Sequence, residues 1–298
     1  MNTALLATGL SKQYRSGWAL RDCNLSIPAG RLVGLVGPNG AGKTTLMHLA
    51  IGLLSPTAGE IDVFGWSPRR HPVLVLSRVG FVAQDRPMYR RFSVAEMLRL
   101  GRELNPRWDQ VAVEARLRRL DIPFDRPVGR LSGGQAAQVA LALALGKRAD
   151  LLLLDEPVVN LDPLARREFL RELVDAVASD GLTAVLSSHV VGELERVCDY
   201  LVILANGRIQ VMGDIDELLG SHKLLVGPRV NVATTANDAS VVEAKHTELE
   251  SALLVKTNGH VPPPPWRVHD VSLEDLVLAY MANSHATSLP SPTIAETT

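Results

Sequence analysis

The sequence predicts an α/β fold, in which buried strands alternate with helices around a sheet. One indication is the apolar run 32–36, which leads into the glycine-rich segment 37–45 and then into a stretch compatible with a helix. The other is the apolar run 151–154, which ends in Asp155 and Glu156, as a central parallel strand does when it delivers charge to a site. The alternation along the chain therefore indicates an α/β sandwich.

The composition is that of a globular protein and restricts the possible functions. Of the 298 residues, 46% are hydrophobic and 21% are charged, so a sizeable core can form. The net charge of −1 argues against a nucleic-acid-binding protein, which is usually basic. Cys23 and Cys198 are isolated and are predicted to be small core residues, with no disulfide framework or cysteine metal site. Because no signal peptide or run of about 18 apolar residues is visible, we expect a cytosolic chain.

The first 30 residues alternate apolar and polar positions, which predicts antiparallel strands before the central one. Tyr14 lies among them in the polar, turn-like segment 12–17. Two interpretations of Tyr14 are open. It is either a half-buried surface aromatic or a platform for an adenine ring, since aromatic stacking contributes about 0.5–1.5 kcal/mol beyond area burial.

The segment 37–45 has the pattern of a phosphate-binding loop, G-x-x-x-x-G-K-T. Its glycines permit the tight backbone that lets successive N–H groups converge on phosphate oxygens, and the following helix points its positive end at them. Lys43 would reach the β- and γ-phosphates of ATP, and the Thr44 hydroxyl would ligate Mg²⁺. The nucleotide-binding residues predicted here are Gly37, Asn39, Gly40, Ala41, Gly42, Lys43, Thr44 and Thr45.

The chain between the two apolar runs predicts further strands and a helical insert. Strands are expected at 60–64 and at 79–83, the second ending at Gln84. A capping-box pattern that begins at Ser93 then opens a stretch with helical spacing. A small helical subdomain is therefore predicted at about residues 86–146.

Asp155 and Glu156 receive separate predicted roles. In phosphate-loop nucleotidases, Mg²⁺ is held by the loop hydroxyl and by an acidic residue at the end of a neighbouring strand, a position that Asp155 fits. Glu156 is one residue further and is predicted to polarise a water for attack on the γ-phosphate. Gln84 and His189 also end predicted strands, where open α/β sheets bind their ligands. The alternatives are a solvated strand end for the two acids and a structural role for the histidine.

The character of the sequence changes beyond about residue 222. Strands are plausible at 224–226 and 252–255, a stiff proline-rich connector follows at 262–265, and Ser272 is expected to cap a last helix. The predicted organisation is a main domain at residues 1–222, a short C-terminal α+β extension at 223–283, and a disordered tail, rich in Ser, Thr, Pro and Ala, at 284–298.

With the pentapeptide Leu131-Ser-Gly-Gly-Gln135 included, the chain resembles the nucleotide-binding subunit of an ABC transporter over about residues 3–220. The resemblance implies a P-loop NTPase sandwich of the ABC ATPase type, with an antiparallel β subdomain and a small helical subdomain, that binds ATP and Mg²⁺. The motifs come in the family's order, with Tyr14 at the adenine-stacking position, Gln84 at the Q-loop glutamine, Asp155 and Glu156 at the Walker B aspartate and catalytic glutamate, and His189 at the switch histidine.

In that family two such domains pair head to tail, and the signature motif of one closes over the γ-phosphate held by the other. The positions that match the signature and the D-loop, and so join the implied nucleotide-binding residues, are Ser132, Gly133, Gly134, Gln135 and Asp162. The resemblance also implies that Gln84 joins Thr44 and Asp155 as a magnesium ligand. Glu156, His189 and Gln84 are the implied catalytic residues.

Two departures from the family pattern are visible. Ala136 and Ala137 follow the signature where the family often has a basic residue, which removes charge near the implied dimer interface. Val159 and Asn160 replace the usual serine and small residue of the D-loop, so communication between two sites is expected to differ.

The resemblance implies an ATPase subunit that acts at the cytoplasmic face of the membrane, with integral membrane permease subunits as partners and no nucleic acid. The second ATPase chain of the dimer is either a copy of this one or a related chain. The helical insert and the helix at 272–280 resemble those of bacterial exporters, so export is expected and import is the alternative. A non-transport ABC ATPase is a more distant alternative. Two features argue against it: the chain has only one set of motifs, and no heptad run that would indicate a coiled coil lies between Lys43 and Leu131.

Overall fold

The computed structural model describes residues 3–229, 240–257 and 265–282. The strands are β1 (Thr3–Tyr14), β2 (Gly17–Pro28), β3 (Leu32–Val36), β4 (Ala58–Val63), β5 (Val79–Val82), β6 (Leu151–Leu154), β7 (Thr183–Ser188), β8 (Tyr200–Ala205), β9 (Arg208–Asp214), β10 (His222–Pro228), β11 (Ser240–His246), β12 (Glu250–Lys256) and β13 (Arg267–Asp270). The helices are α1 (Lys43–Ala50), α2 (Pro72–Arg78), α3 (Val94–Leu104), α4 (Gln110–Arg119), α5 (Gly133–Gly146), α6 (Pro163–Asp180), α7 (Val191–Leu194), α8 (Ile215–Ser221) and α9 (Leu273–Ala282). Within these ranges no helix has both the length and the apolar character needed to cross a membrane.

The central sheet has six strands in the order β5-β6-β7-β3-β8-β9. All neighbouring pairs are parallel except β8 and β9, which form an antiparallel hairpin. Strands β3, β6 and β7 are buried along their whole length, which is why they consist mainly of apolar residues. Because parallel strands end at the same edge, the segments that follow β3, β5, β6 and β7 meet there. The predicted α/β fold with parallel buried strands is confirmed.

An antiparallel sheet in the order β2-β1-β4 covers one face of the central sheet, as the alternation in the first 30 residues predicts. Leu5 and Leu25 of this sheet share a core with Val33 and Val185 of the central sheet. Cys23 is buried in the same core, and Cys198 is buried in the core on the other face, both as free thiols. The predicted role of the two cysteines as small core residues is confirmed.

The other face of the central sheet is covered by α5, α6 and α9. Leu141 of α5, Phe169 of α6 and Leu276 of α9 lie in one core with Leu186 of β7. Helix α9 therefore completes the core of the main sheet although it follows the C-terminal strands in sequence.

The C-terminal strands form a separate antiparallel sheet in the order β11-β12-β10-β13, and β10 and β12 contain the two strands expected there. The boundaries proposed at 222 and 283 stay a prediction. The proline-rich connector 262–265 lies outside the described residues except for residue 265, and the tail 284–298 lies wholly outside them.

Helices α3 and α4 pack on α5 around Leu98, Leu117 and Val139, in the region where a helical subdomain is expected. The predicted capping box is present, because the Glu96 N–H donates to the Ser93 hydroxyl at 3.2 Å and the Ser93 N–H donates to the Glu96 carboxylate at 2.7 Å.

Candidate active site

A cavity of about 450 Å³ lies at the edge of the central sheet where β3, β5, β6 and β7 end. Its walls are the loop between β3 and α1 and the first residues after the other three strands. The lining residues are Ala19, Asn39, Gly40, Ala41, Gly42, Lys43, Thr44, Thr45, Gln84, Glu156, Val159 and His189. The structure therefore brings most of the predicted loop residues together with Gln84, Glu156 and His189.

The backbone of the loop between β3 and α1 requires glycine at three positions. Gly40 and Gly42 have left-handed φ values of +79° and +110°. A Cβ at Gly42 would lie 2.5 Å from the Ala19 carbonyl oxygen, and one at Gly37 would overlap the Leu204 carbonyl. Gly42 is also the N-cap of α1 and has no side chain to bond the first N–H groups of that helix. The loop thus presents free N–H groups and a helix N-terminus, an arrangement that binds phosphate.

The ammonium group of Lys43 is buried above this loop. Its Nζ donates to the carbonyl oxygens of Gly37 at 2.7 Å and Pro38 at 3.3 Å. It also lies 3.2 Å from the Glu156 carboxylate. These contacts fix a positive charge at the loop, where a polyphosphate would need it.

Asp155 and Glu156 follow β6 but point to different places. Asp155 is buried and does not line the cavity, and its Oδ1 accepts a hydrogen bond of 2.9 Å from the Ser187 hydroxyl. Glu156 lines the cavity, with one carboxylate oxygen near Lys43 and the other 3.2 Å from Nδ1 of His189. A positive φ of 44° at Glu156 directs its side chain away from that of its neighbour. A carboxylate in this position can polarise a water molecule and accept its proton.

The oxygen-bearing side chains fit a magnesium ion. Thr44 and Gln84 line the cavity, whereas Asp155 is buried and is not one of its lining residues, although the next residue, Glu156, is. The donors predicted from the sequence are therefore a hydroxyl, an amide oxygen and one carboxylate. Oxygen ligands suit Mg²⁺, which usually keeps waters and substrate phosphates as its other ligands rather than occupying a cage made only of protein. In the part of the chain that the structure describes, no group of three His, Cys, Asp or Glu side chains is arranged so that it could hold a metal ion.

Tyr14 does not line the cavity. It ends β1 with 41% of its surface exposed, and the Lys12 ammonium lies 5.4 Å from the centre of its ring. Ala19, on the neighbouring strand, is the residue of this hairpin that reaches the cavity. Both interpretations of Tyr14 therefore stay open, and its contact with an adenine ring stays a prediction.

The signature residues lie elsewhere on the molecule. Ser132, Gly134, Gln135 and Asp162 line a second cavity of about 220 Å³, between the start of α5 and the start of α6. Ser132 and Gln135 form a capping box at α5, with both hydrogen bonds 3.2 Å long. Asp162 caps α6, because its Oδ1 accepts hydrogen bonds from the N–H groups of Leu164 and Ala165. Within one chain the signature and the phosphate loop are therefore not brought together.

The sequence interpretation did not assign three residues of this region, Ala19, Val159 and Ser187, to the nucleotide site, although it noted Val159 as a departure in the D-loop. Ala19 and Val159 line the first cavity, but their side chains carry no chemical signal. Ser187 bonds Asp155 through its hydroxyl and Glu156 through the N–H of that residue. The available signal was a hydroxyl residue near the end of a buried strand that leads to His189.

Comparison with known proteins identifies relatives of this architecture. The model of the family described as ABC transporter matches residues 20–159, and a model described as AAA domain, putative AbiEii toxin, Type IV TA system matches residues 124–195. The sulfate/thiosulfate import ATP-binding protein CysA of Synechocystis sp. is 32% identical, over 91% of this chain and 77% of its own length. The Nod factor export ATP-binding protein I of Sinorhizobium fredii is 36% identical, over 74% of this chain and 66% of its own length.

The fold is also similar to solved structures. A structure described as the ATP binding subunit of an ABC transporter superimposes with a TM-score of 0.66 at 30% identity. The similarity covers 72% of this chain and 92% of that one.

Proposed function

The chain belongs to the ABC transporter family as an ATP-binding subunit that hydrolyses ATP, and from this premise we propose that it drives export through separate membrane subunits as half of a head-to-tail dimer. The observation that carries the proposed site is the convergence of Lys43, Glu156 and His189 in one cavity at the end of the parallel strands. A fixed cation, a carboxylate and an imidazole are the groups that hydrolysis of a phosphoanhydride needs.

In the proposed reaction, the loop N–H groups and Lys43 hold the β- and γ-phosphates of ATP. Glu156 orients a water molecule, which attacks the γ-phosphorus while the bond to the β-phosphate oxygen breaks. The water proton passes to the Glu156 carboxylate, so that the products are ADP, phosphate and a proton that later returns to solvent. His189 contacts the same carboxylate and keeps it directed into the cavity.

We assign Thr44, Asp155 and Gln84 as the protein ligands of Mg²⁺. When bound, the ion neutralises charge on the β- and γ-phosphate oxygens. The Asp155 carboxylate is suited to this role because it is buried and held by a hydrogen bond, and so does not compete with Glu156 for the water.

The separation of the two cavities supports the proposed dimer. Ser132, Gly134 and Gln135 lie at the start of α5, in a cavity that Lys43 does not line. In a head-to-tail pair, the signature of one subunit would face the phosphates held by the other, and the positive end of α5 would point at them. The second subunit is either another copy of this chain or a related ATPase chain.

The membrane partners and the direction are also proposals. Permease subunits at the cytoplasmic face of the membrane would convert dimer closure into transport. Export rests on the resemblance of the helical insert and of α9 to exporter subunits, and on the relative named for Nod factor export. Import is the alternative. The relative named for sulfate/thiosulfate import matches 91% of this chain, so the similarity extends beyond residues 1–222 into the C-terminal extension, on which the expectation of export partly rests.

Purification of the tagged chain from detergent-solubilised membranes tests the proposal. We expect membrane-spanning subunits to co-purify, and the reconstituted complex to hydrolyse ATP without any soluble binding protein. A complex whose turnover rises when a binding protein is added on the side opposite to ATP would be an importer. Co-purification of soluble partners alone would contradict a transport role. The Glu156→Gln variant of the complex is the control for ATP hydrolysis by other proteins.

A further inference from the structure

Ser187 connects the two acidic residues of the site through one hydroxyl group. Its Oγ lies 2.9 Å from Oδ1 of Asp155 and 2.8 Å from the backbone nitrogen of Glu156. Ser187 is fully buried, and Asp155 and Glu156 are 2% and 8% exposed. No solvent water can therefore take over these bonds.

The chemistry of the three groups fixes the direction of both hydrogen bonds. A carboxylate can only accept, so the Ser187 hydroxyl donates its proton to Asp155. A backbone N–H can only donate, so the same oxygen accepts from Glu156. Donation to the anion polarises the hydroxyl and strengthens its capacity to accept from the N–H group.

The position of Ser187 follows from the register of the central sheet. Leu154 of β6 pairs with Leu186 of β7, so Ser187 stands beside the first residue after β6. On its other side it pairs with Leu35 of β3, the strand that leads into the phosphate-binding loop. Ser187 therefore lies on the strand between β3, which leads into the loop, and β6, which leads into the two acids.

The hydrogen bond from the Glu156 N–H to the Ser187 hydroxyl stabilises an unfavourable backbone conformation at Glu156. Glu156 has a φ of 44°, in the left-handed region that residues with a Cβ rarely adopt. This conformation directs its carboxylate to within 3.2 Å of both Lys43 and His189. Without the hydrogen bond from the Glu156 N–H, the turn is expected to relax, and the carboxylate to move away from the place where it would hold the attacking water.

We propose that Ser187 is a positioning residue. It sets the direction of the Glu156 carboxylate by bonding the backbone N–H of Glu156, and it sets the direction of the Asp155 carboxylate by donating a hydrogen bond to Oδ1 of Asp155. The inference rests on the roles given above to the two acids. Ser187 is not among the residues that line the cavity, so its proposed effect is exerted through Asp155 and Glu156. The competing explanation is that its hydroxyl merely satisfies buried polar groups and stabilises the fold.

The test compares ATP turnover of the purified full chain with substitutions at Ser187 and with a matched control on the same strand. Ser187→Ala removes the hydroxyl, Ser187→Cys fills the same space with a poor donor, and Ser187→Thr keeps the hydroxyl. The control is Thr183→Val, because Thr183 is also buried in β7 and its hydroxyl accepts a hydrogen bond of 2.9 Å from the Gly30 N–H, at the opposite end of the strand. Thermal unfolding shows that each variant is folded before it is assayed.

We expect kcat to fall about tenfold or more for Ser187→Ala and Ser187→Cys, as the loss of an organising hydrogen bond to a charged group predicts. The affinity for ATP measured by equilibrium binding without Mg²⁺ should stay within about threefold of wild type, because the loop and Lys43 are intact. Ser187→Thr should keep most of the wild-type kcat. Thr183→Val should lower the melting temperature but leave kcat unchanged.

Wild-type kcat in folded Ser187→Ala or Ser187→Cys overturns the proposal, and so does an equal fall in kcat for Thr183→Val. Glu156→Gln separates this inference from the assignment on which it rests. If Glu156→Gln abolishes turnover and Ser187→Ala does not slow it, only the role of Ser187 is wrong. If neither variant slows turnover, the role of Glu156 is wrong as well.

Discussion

The Lys43 ammonium and the Glu156 carboxylate form an ion pair of 3.2 Å inside the cavity, and both side chains are less than one-tenth exposed. The charge proposed to hold the phosphates and the charge proposed to orient the attacking water are therefore paired with each other in the free chain. Because each is buried, the removal of one leaves the other with less compensation. This relationship governs both the stability and the activity of variants at the two positions.

Lys43→Ala should abolish nucleotide binding or turnover, because the loop loses its only cation. It should also lower the free energy of unfolding, and the double variant Lys43→Ala/Glu156→Gln should recover about 1–3 kcal/mol of that loss, since the buried carboxylate is then neutralised. Urea unfolding of the three proteins measures the effect. Full ATPase activity in Lys43→Ala would contradict the phosphate-loop assignment, and equal stability of the single and double variants would show that the ion pair is unimportant.

Glu156→Gln should bind MgATP, dimerise and then stall. The amide has the size of the carboxylate, but it cannot accept the proton of the attacking water, and such groups contribute about 10²–10⁴-fold to the rate. Asp155→Asn should instead weaken Mg²⁺ retention and with it the stable dimer. ATP turnover and ATP-dependent dimerisation, followed by size exclusion, measure the contrast. Wild-type turnover in Glu156→Gln, or accumulation of the ATP dimer in Asp155→Asn, would show that the roles are assigned wrongly.

Tyr14→Ala should weaken ATP affinity by about tenfold or less if the ring stacks on adenine. Tyr14 is 41% exposed and is not part of the cavity wall, so the alternative of a surface aromatic predicts no change. Trp18 is 47% exposed on the same hairpin and provides the matched comparison as Trp18→Ala. Equilibrium binding of ATP to both variants decides which aromatic, if either, contacts the base.

A mixture of two inactive variants should regain activity if each site combines parts of two chains. Lys43→Ala disables the phosphate loop, and Gly133→Asp places a carboxylate at the signature. Gly133 is the better choice than Gly134, because a Cβ at Gly133 meets nothing within 4 Å, whereas one at Gly134 would lie 2.8 Å from the Ala165 side chain. Each mixed dimer has one intact composite site of two, and random pairing makes about half of the dimers mixed. We therefore expect an equimolar mixture to show about a quarter of the wild-type turnover.

Each variant assayed alone, at the total concentration of the mixture, is the control for this experiment. A mixture no more active than its components would contradict the shared site, provided that size exclusion shows mixed dimers. Wild-type turnover strictly proportional to protein concentration down to high dilution would argue against it independently.

The stability of the chain should fall below about pH 6.5 because of a buried histidine at the end of α8. His222 donates from Nδ1 to the Leu218 carbonyl at 2.7 Å, so its Nε2 accepts from the Tyr280 hydroxyl at 2.9 Å. Burial raises the pKa of Tyr280 to about 12, which keeps that hydroxyl protonated. Burial also lowers the pKa of His222 below its ordinary value of 6.5. The unfolded chain therefore binds a proton first as the pH falls, and the stability contributed by neutral His222 is lost from pH 6.5 downward.

Urea unfolding at pH 7.5, 6.5 and 5.5 measures this dependence. We expect a smaller fall in the free energy of unfolding for His222→Phe than for wild type, while Tyr280→Phe, which keeps the histidine, should retain the dependence. Equal slopes in wild type and His222→Phe would show that other groups cause it.

The parts of the site that could be predicted from the sequence are those whose functional residues are adjacent to one another along the chain. The loop residues before α1 and the pair Asp155 and Glu156 each form a short pattern at the end of an apolar strand. Ser187 could not be predicted, because its role depends on β7 lying beside β6 in the sheet, although β6 and β7 are separated by α6 in sequence. Helix α2 was also missed, because Val75 is its only buried residue and its other apolar side chains form no buried face.

Helix α9 is the last described element of the chain, and its packing in the core of the central sheet couples its stability to that of the sheet that carries the nucleotide site. Leu276 and Val277 exclude water together with Leu186 of β7, so neither part can open without exposing the apolar surface of the other. A ligand present at a hundred times its dissociation constant stabilises the folded state by about 2.7 kcal/mol. Backbone amides of α9 that exchange with solvent only through global unfolding would therefore exchange about a hundredfold more slowly with ATP bound, although the helix contributes no residue to the cavity wall.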